Sequence, residues 1–416
     1  MRLKPILALT AAVFAASAAN ALAADKVKVE YWSNSLSPKF DSVMKDMTEK
    51  FNKSQSGIEA VWVDVPWDAF QARVVAAVAS GSTPGLVNLP KPWMDQFAQQ
   101  KMVQPITKQV AGFKSVYTSG ALKDVTYNGE IYGLPWYQVT AVLFYNKELL
   151  AKAGVKNPPK SFAELLKTAR QVKEKTGVAG FAPKLQDGFT GWFLYEGLPV
   201  VQNGKAVFNS PAHVKLIEEF KKAYADGVIP KDAFKMQFED QIAAYNGQRV
   251  AMFGEGAHAL KRTQTDAPKV YAQTGVTGFP ESNGKTPFGG FLFLWSVPKG
   301  YKNVDAAVKL GQFVTNDDNQ LVFAKASATF PSTNKALEDS YFKAGANSKD
   351  PVEQATSVAA GAIKTSRTLT VSGLPDEAAM NKKLNDELEA AITGRKPVKQ
   401  ALDEAVKFWN GKFSSK

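Results

Sequence analysis

Two glycine-rich segments are the places where this chain could hold a phosphate or a dinucleotide. Residues 278–286 (GFPESNGKT) look like a phosphate-binding loop, but five residues separate the glycines where the motif has four, and Pro287 follows where a helix would have to open. Residues 254–259 (GEGAHA) fit G-x-G-x-x-A after a strand-like stretch, yet no acidic partner is clear about 20 residues later. We interpret the first segment as a turn and the second as a loop in which the backbone approaches a neighbour closely.

Side chains that could carry out catalysis are scarce. The chain has two histidines, His213 and His258, and no cysteine, which excludes disulfides, thiolate zinc sites and cysteine nucleophiles. His213 lies in the charged first turn of a predicted helix, where we expect a solvated imidazole. Neither a G-x-S-x-G elbow nor an H-E-x-x-H helix is present. We therefore expect no catalytic residue, no metal and no cofactor, although two acids that meet only in space could still make the chain a secreted glycoside hydrolase.

The elements that position the remaining polar residues begin with alternating strands and helices. Apolar and polar residues alternate from Val27 to Tyr31, as in a strand with one buried face. The segments that follow are a helix opened by Ser37 and Pro38, a strand at 58–63, a helix at 67–78 that Gly81 ends, and a short strand at 86–89. This βαβαβ order predicts a parallel sheet with right-handed crossovers.

Further helices and strands are predicted along the rest of the chain. Ser161 and Glu164 form a capping box for a helix that Gly177 ends. The other elements are strands at 142–145 and 291–297, a helix that starts at Pro211, and helices at 380–392 and 398–409. The alternation of both element types indicates the α/β class.

The carboxyl ends of the first three strands are where such a sheet would bind a ligand. Ser33 and Asn34 follow the first strand, Asp64 and Trp67 follow the second, and Asn88 lies at the end of the third. Because the carboxyl ends of parallel strands lie at one edge of the sheet, we expect these five side chains to border a single site.

Several segments in the middle and at the end of the chain share a longer pattern. They are 132–135 (YGLP), 143–150 (LFYNKELL), 152–162, the Gly289–Gly290 pair, 330–332 (FPS) and 394–409. Together they resemble the family 1 extracellular solute-binding proteins, which include the maltose- and oligosaccharide-binding components of ABC importers. The similarity runs from about Val27 to the end. Two departures are Pro84-Gly85, where the family has Pro-Asp, and residues 256–258 (GAH), where many members have Gly-Pro-Trp.

The resemblance implies a two-lobed α/β fold, the type II periplasmic binding protein fold. Each lobe would have a mostly parallel sheet flanked by helices, and the chain would cross between the lobes in hinge segments near 136–141, 285 and 335. The implied organisation is a signal peptide at 1–23, an N-terminal lobe at 24–137 and 286–335, and a C-terminal lobe at 138–285 and 336–416.

The resemblance also implies a sugar or oligosaccharide ligand in the cleft between the lobes. Sugar hydroxyls need planar donors and acceptors, and the C–H faces of a sugar need aromatic rings. The expected polar and glycine contacts are Ser33, Asn34, Asp64, Asn88, Glu255, His258, Gly290 and Arg367, and the expected aromatic contacts are Trp67, Trp136, Tyr137, Trp192 and Phe291. Trp136 is the strongest aromatic candidate because it lies in a crossing segment, whereas Trp67 and Trp192 fit a buried core position equally well.

A second class of ligand stays open. Arg367, with Ser366 and Thr368, could hold a phosphate. His258 stands where a stacking tryptophan is common in the family, which weakens the case for an unmodified sugar. The same fold could therefore bind a sugar phosphate or glycerol phosphate.

The N-terminus has the three parts of a secretory signal peptide. Arg2 and Lys4 precede an apolar stretch at 6–19, and residues 21–23 (ALA) match the cleavage rule. The apolar stretch is shorter than the roughly 18 residues that a membrane span needs. We expect export to the periplasm as a mature chain that starts at Ala24, without an N-terminal cysteine that could carry a lipid anchor.

The charge pattern bears on the partners of the protein. The net charge of +12 comes from 51 basic and 39 acidic residues that are interspersed along the chain. Without a dense basic block, we expect a solvated basic surface and no nucleic-acid partner. No heptad stripe indicates a coiled coil, so we expect a monomer. The partners that the resemblance implies are a carbohydrate and the membrane permease subunits of an ABC transporter.

Overall fold

The computed structural model describes residues 26–185, 188–280, 290–363, 369–371 and 373–414. The strands are β1 Val27–Asn34, β2 Ile58–Val65, β3 Leu86–Pro90, β4 Thr126–Tyr127, β5 Glu130–Ile131, β6 Leu134–Thr140, β7 Val142–Asn146, β8 Val201–Gln202, β9 Lys205–Ala206, β10 Met252–Glu255, β11 Thr274–Gly278, β12 Gly290–Ser296 and β13 Phe330–Pro331. Short 3-10 turns lie at Lys114–Val116, Ala336–Glu338 and Gly345–Asn347.

The helices account for most of the remaining described chain. They are α1 Asp41–Ser54, α2 Trp67–Ser80, α3 Lys91–Gln99, α4 Thr107–Val110, α5 Ser119–Asp124, α6 Lys147–Lys152, α7 Phe162–Thr176, α8 Phe189–Tyr195, α9 Pro211–Ala225, α10 Phe238–Asn246, α11 His258–Asp266, α12 Pro268–Gln273, α13 Val304–Val314, α14 Asp317–Ser327, α15 Tyr341–Ala344, α16 Pro351–Ile363, α17 Glu377–Ile392 and α18 Val398–Ser414. None of these helices has the length and apolar character that a membrane span requires.

Three clusters of buried apolar side chains divide the described chain into two lobes. The first cluster takes its residues from 29–137 and 292–323, and we call the part around it the first lobe. The other two clusters take theirs from 142–409, and the part around them is the second lobe. Helix α14 passes from one to the other, since Phe323 belongs to the first cluster and Ala324 to the third. The lobe boundaries given in the sequence analysis stay a prediction, and the crossing expected near 285 lies outside the described residues.

The first lobe is organised by a six-stranded sheet in the order β13–β6–β12–β3–β1–β2. β1 pairs in parallel with β2 and with β3, which confirms the predicted βαβαβ unit. β12 runs antiparallel to β3 and to β6, and β13 runs antiparallel to β6. The sheet is therefore mixed rather than mostly parallel, because its later strands come from segments that reach it from the opposite direction.

The second lobe is organised by a three-stranded sheet in the order β10–β7–β11. Both strand pairs are antiparallel, and isolated parallel bridges join Ala179 to Val250 and Ala182 to Phe253. The prediction of a mostly parallel sheet is wrong for these three strands. An apolar strand pattern shows which residues are buried, but it does not contain the direction from which a distant segment returns.

The predicted helix ends follow the local chemistry of the chain in most cases. The Ser161 hydroxyl accepts a hydrogen bond from the backbone N–H of Glu164 at 3.2 Å and so caps α7. Gly177 ends the same helix in the left-handed conformation, with φ at 74°. The cap predicted at Ser37 is wrong, because α1 begins only at Asp41 and has no side-chain cap.

His213 is buried, so the expectation of a solvated imidazole is wrong. The side chain is 0% exposed at the start of α9. Its Nδ1 lies 2.7 Å from the Ser210 hydroxyl, and its ring packs edge-on against Phe193 at a centroid distance of 4.8 Å. Burial lowers the pKa of His213 to about 4, which keeps the ring neutral near pH 7.

Candidate ligand cleft between the lobes

Asp64, at the end of β2, holds the loop that follows β1. Its carboxylate accepts hydrogen bonds from the Ser33 hydroxyl at 2.6 Å and from the backbone N–H groups of Leu36 and Ser37, both at 3.1 Å. The Ser33 oxygen in turn accepts a hydrogen bond from the indole of Trp62 at 2.8 Å. Ser33 and Asp64 therefore shape the edge of the cleft through contacts within the first lobe.

Asn34 and Asn88 join three neighbouring strands at the same edge. The amide of Asn34 donates to the backbone carbonyl of Asn88 at 2.9 Å, and the amide of Asn88 donates to the carbonyl of Leu294 at 3.0 Å. Both asparagine side chains are buried. Their amide groups fix the ends of β1, β3 and β12 relative to one another, which gives the cleft a rigid floor.

Three aromatic rings, on α2, α3 and β12, contact one another near these strands. We call them the aromatic platform: Trp67, Trp93 and Phe293. Trp67 is 41% exposed, although it is a large apolar side chain. Its ring centroid lies 4.4 Å from that of Trp93 and 6.4 Å from that of Phe293. The backbone N–H of Trp67 donates to the Ser35 hydroxyl at 2.8 Å, which ties the first turn of α2 to the loop after β1.

Two members of the platform, Trp93 and Phe293, were not predicted from the sequence. Trp93 lies in the first turn of α3, directly after the end of β3, so the strand-end rule could have found it. Phe293 alternates with the buried residues Leu292 and Leu294 along β12, and its ring stacks on that of Tyr137 at 4.6 Å. Burial raises the pKa of the Tyr137 hydroxyl, so it stays protonated.

Trp136 and Trp192 lie in the cores of the two lobes. Trp136 is 0% exposed and has the rings of Phe323 and Trp295 at 4.4 and 4.9 Å. Trp192 is 1% exposed, and its indole N–H donates to the backbone carbonyl of Lys184 at 3.4 Å. In this conformation neither ring presents an open face, and the core alternative of the sequence analysis describes the surroundings of both.

Polar side chains of the second lobe form a group that we call the polar cluster: Lys184, Glu255 and His258. Glu255, at the end of β10, is buried and forms an ion pair with Lys184. The ring of His258, the first residue of α11, stacks on Phe238 at 5.3 Å. Burial lowers the pKa of His258; the negative charge of Glu255 opposes this shift, and the positive charges of Lys184 and Lys39 act with burial. The ring is thus held neutral, with one nitrogen able to donate and the other able to accept a hydrogen bond.

The glycines around the polar cluster are required by close packing. A side chain at Gly254 would collide with the ring of Phe279, and a Cβ at Gly256 would lie 2.7 Å from Nδ1 of His258. This agrees with the interpretation of residues 254–259 as a loop of close backbone approach rather than a dinucleotide fingerprint.

Strand β12 brings the platform and the polar cluster together. It starts at Gly290, which is buried and pairs with Thr140 of β6. Phe291 and Phe293 lie on the same face of the strand, since side chains alternate along it. The Lys184 ammonium lies 6.0 Å from the ring of Phe291, while Phe293 contacts Trp67. One strand therefore carries a ring that contacts the platform, Phe293 at Trp67, and a ring beside the polar cluster, Phe291 at Lys184.

The lobes also approach each other at the edge where the loop after β1 reaches α11. Burial lowers the pKa of Lys39, and the nearby charges of Arg262 and Lys261 lower it further. Arg262 forms an ion pair with Glu239 and lies 5.3 Å from the ring of Phe238. The conformation is thus one in which the lobes lie close together. Arg367 and the expected signal peptide lie outside the described residues.

Comparison with known proteins gives relatives over most of the chain. Residues 46–351 match the family described as bacterial extracellular solute-binding protein. The diacetylchitobiose binding protein DasA of Streptomyces coelicolor is 24% identical over 368 residues, which cover 84% of this chain and 81% of DasA. The sn-glycerol-3-phosphate-binding periplasmic protein UgpB of Pectobacterium atrosepticum is 24% identical over 433 residues, covering 95% of this chain and 93% of UgpB.

Solved structures with the same fold cover nearly the whole chain. A periplasmic-binding protein of Synechococcus sp. MITs9220 superimposes with a TM-score of 0.86 at 25% identity, covering 93% of this chain and 99% of that chain. Maltose-bound MalE3 of T. maritima gives a TM-score of 0.77 at 22% identity, covering 92% and 99%. The chain belongs to the bacterial extracellular solute-binding protein family and has the two-lobed α/β fold of type II periplasmic binding proteins.

Proposed function

We propose that this protein captures a sugar or oligosaccharide between its lobes and delivers it to the membrane permease of an ABC importer. The observation that carries the proposal is the aromatic platform, on which Trp67 remains 41% exposed and which β12 links to the polar cluster through Phe291 and Lys184. The names of DasA and of maltose-bound MalE3 support a carbohydrate, since each states a sugar for that protein.

The two sides of the cleft supply complementary parts of a sugar site. A pyranose has an apolar C–H face that packs on an aromatic ring, and Trp67 offers such a face at the rim of the first lobe. Its hydroxyls need charged or planar hydrogen-bonding groups, which Lys184, Glu255 and His258 offer from the second lobe. Ser33, Asn34, Asp64 and Asn88 then act by holding the floor of the site rather than by direct contact.

Among the tryptophans, Trp67 takes the stacking role that the sequence analysis gave to Trp136. A ring that binds a ligand needs an accessible face, and Trp136 has its faces covered by Trp295 and Phe323. Trp136 supports the site from below, because its neighbour Tyr137 stacks on Phe293 of the platform.

Binding would close the lobes around the ligand. A ligand that contacts both lobes favours the closed state by its differential affinity for the two states. We expect small-angle scattering to give a smaller radius of gyration with ligand than without. An unchanged radius at saturation, in a free protein that is not already closed, would count against closure.

A phosphorylated ligand is the second candidate, and the charges at the edge of the cleft favour it. Lys39, Lys261 and Arg262 meet there beside the N-terminus of α11, which favours negative charge. UgpB, whose name states sn-glycerol 3-phosphate, matches 95% of this chain. The ion pair between Lys184 and Glu255 opposes this candidate, because it neutralises the cation of the polar cluster.

The proposal includes the location of the protein and its oligomeric state. The signal peptide at 1–23 would be removed during export, leaving a monomer in the periplasm that begins at Ala24 and carries no lipid anchor. N-terminal sequencing of exported protein tests this, and a start before Ala21 would contradict it.

A ligand screen by thermal shift tests the proposed function. Maltose, N,N′-diacetylchitobiose and sn-glycerol 3-phosphate would each be added at saturating concentration to the mature protein. A bound ligand at about 100 times its Kd stabilises the fold by about 2.7 kcal/mol, which gives a clear rise in melting temperature. A rise with a neutral sugar supports the proposal, and a rise with sn-glycerol 3-phosphate alone supports the second candidate. Release of chromophore from a chromogenic glycoside would instead make the protein a hydrolase.

A further inference from the structure

Strand β2 forms one edge of the six-stranded sheet in the first lobe. It pairs with β1 on one side, and no strand of the described residues pairs with it on the other. Its eight residues (IEAVWVDV) are mostly apolar and include neither glycine nor proline. A long apolar edge of this kind is a template on which another chain can add a strand.

The side of β2 that faces away from the sheet is identified by the hydrogen bonds on its inner side. The carbonyl of Val65 accepts a hydrogen bond at 3.0 Å from the backbone N–H of Ser35, directly after β1. The odd-numbered residues of β2 therefore direct their peptide groups toward β1. Because these groups alternate along a strand, the N–H and C=O groups that point outward belong to the even-numbered residues: Ile58, Ala60, Trp62 and Asp64.

Two amide side chains at the end of α1 bind half of these outward groups. The amide of Asn52 donates to the carbonyl of Ala60 at 3.0 Å and accepts from the N–H of Ala60 at 2.7 Å. Gln55, which directly follows α1, makes the same two contacts with Ile58, both at 2.7 Å. Each amide thus satisfies the donor and the acceptor of one outward residue, as the backbone of a neighbouring strand would.

The rest of the edge consists of Trp62 and Asp64. No hydrogen bond from the described residues reaches the outward backbone groups of these two. Ordinary strands have about three to ten residues, and an added strand could here bond to only two outward residues. The two amides therefore reduce an edge of eight residues to one that is too short for stable pairing.

We propose that Asn52 and Gln55 protect the edge of β2 from pairing with β2 of a second copy of this chain. A second copy fits because two β2 strands can pair about a twofold axis, each through the same outward groups. β2 ends at Val65, two residues before Trp67, so a second copy on this edge would lie beside the aromatic platform. The proposal rests on the monomeric state in the proposed function, and it does not depend on which ligand is bound.

Sedimentation equilibrium of mature protein that carries both Asn52→Ala and Gln55→Ala tests the proposal. Without the amides all four outward residues are open, so this variant should reach about twice the mass of wild type as its concentration rises. Wild type should keep the mass of one chain over the same range. A second variant, with Asn52→Asp and Gln55→Glu, keeps an acceptor for each N–H group and places negative charge along the edge. It should stay monomeric, because charged side chains at an edge disfavour pairing.

Ser54→Ala is the matched control for damage to the end of α1. The Ser54 hydroxyl donates to the carbonyl of Phe51 in the same helix, at 2.8 Å, so its loss should leave the protein monomeric. A monomeric double alanine variant with the circular dichroism spectrum of wild type would overturn the proposed protection. In that case the monomeric state in the proposed function would still stand.

Hydrogen exchange in the wild-type protein gives a second test that needs no variant. The backbone amides of Ile58 and Ala60 are hydrogen-bonded and should exchange at least about tenfold more slowly than those of Trp62 and Asp64. Equal exchange at all four positions would overturn the proposal, even if the double alanine variant failed to fold. A wild-type dimer would overturn both the protection and the proposed monomer, whereas sugar binding by the same sample would leave the proposed capture of sugar intact.

Discussion

The first lobe has two groups of tryptophan with opposite surroundings, one on its helices and one on its sheet. Trp67 rests on Trp93 at the rim of the cleft and keeps 41% of its surface exposed, while Trp136 rests on Trp295 and Phe323 and keeps none. An aromatic ring in the cleft and an aromatic ring in the core contribute to different properties. The first should govern affinity, and the second should govern stability.

The largest expected effect is on stability, in Trp136→Ala. Removing a fully buried tryptophan leaves a cavity among Trp295, Phe323 and Tyr137, and such changes cost about 3 to 5 kcal/mol. Chemical denaturation of the mature protein should show this loss. Trp136→Phe, which keeps most of the apolar volume, should lose much less. If Trp136→Ala were as stable as wild type, the claim that Trp136 stabilises the core of the first lobe would be wrong.

Trp67→Ala should change affinity and leave stability nearly unchanged. The loss of an aromatic contact of this size is worth about 1 to 3 kcal/mol, which is a fall of about 5- to 150-fold in affinity. Calorimetric titration with the carbohydrate that gives the largest thermal shift measures it. Val75→Ala, at another exposed apolar position on α2, is the control and should bind as wild type does. Equal affinity in Trp67→Ala and wild type would remove Trp67 from the site.

The buried side chain of His213 should make the stability of the protein depend on pH. His213 is buried, and its pKa of about 4 lies below the ordinary value of 6.5. Its neutral form stabilises the fold fully above pH 6.5, and this contribution is lost as the pH falls through 4. We expect a loss of about 1 to 2 kcal/mol over that range, which His213→Gln should reduce. Denaturation midpoints of both proteins at pH 7 and 4.5 measure it, and identical pH profiles would contradict the buried neutral ring.

His258→Ala should give the smallest effect, a fall of a few-fold in affinity. The ring offers at most a single hydrogen bond to a ligand, worth about 0.5 to 1.5 kcal/mol. Its partner Phe238 remains packed by Arg262, so the melting temperature should change little. A loss as large as that of Trp67→Ala would move the centre of the site toward the second lobe.

The sequence predicts those features of the fold that depend on neighbouring residues better than those that depend on distant segments. Caps such as Ser161 and the contiguous βαβαβ unit depend on neighbouring residues, and both are confirmed. The direction of β12 and β10 depends on where distant segments return, and there the expected parallel sheets are wrong.

The candidate site shows the same limit at the level of single side chains. Strand-end positions mark the edge of the sheet beside which Trp67 and Trp93 lie, because that rule follows from the topology of the sheet. The local sequence does not show which tryptophan is buried, because Trp67 and Trp136 each directly follow a proline. The two differ in their tertiary contacts, since Trp295 and Phe323 pack against the ring of Trp136. Trp93 stands in the same relation to a strand end as Trp67, in the first turn of the helix that follows, but the rule was applied only as far as Asn88 in the third strand.

Native mass spectrometry of the mature protein, purified from the exporting cell without refolding, tests the central claim most directly. We predict a bound species that leaves on denaturation and whose mass equals a whole number of sugar residues plus one water. Its retention should be weakened in Trp67→Ala but not in Val75→Ala. A bound species of another class, such as an amino acid or a peptide, retained equally by both variants, would contradict carbohydrate capture on the aromatic platform.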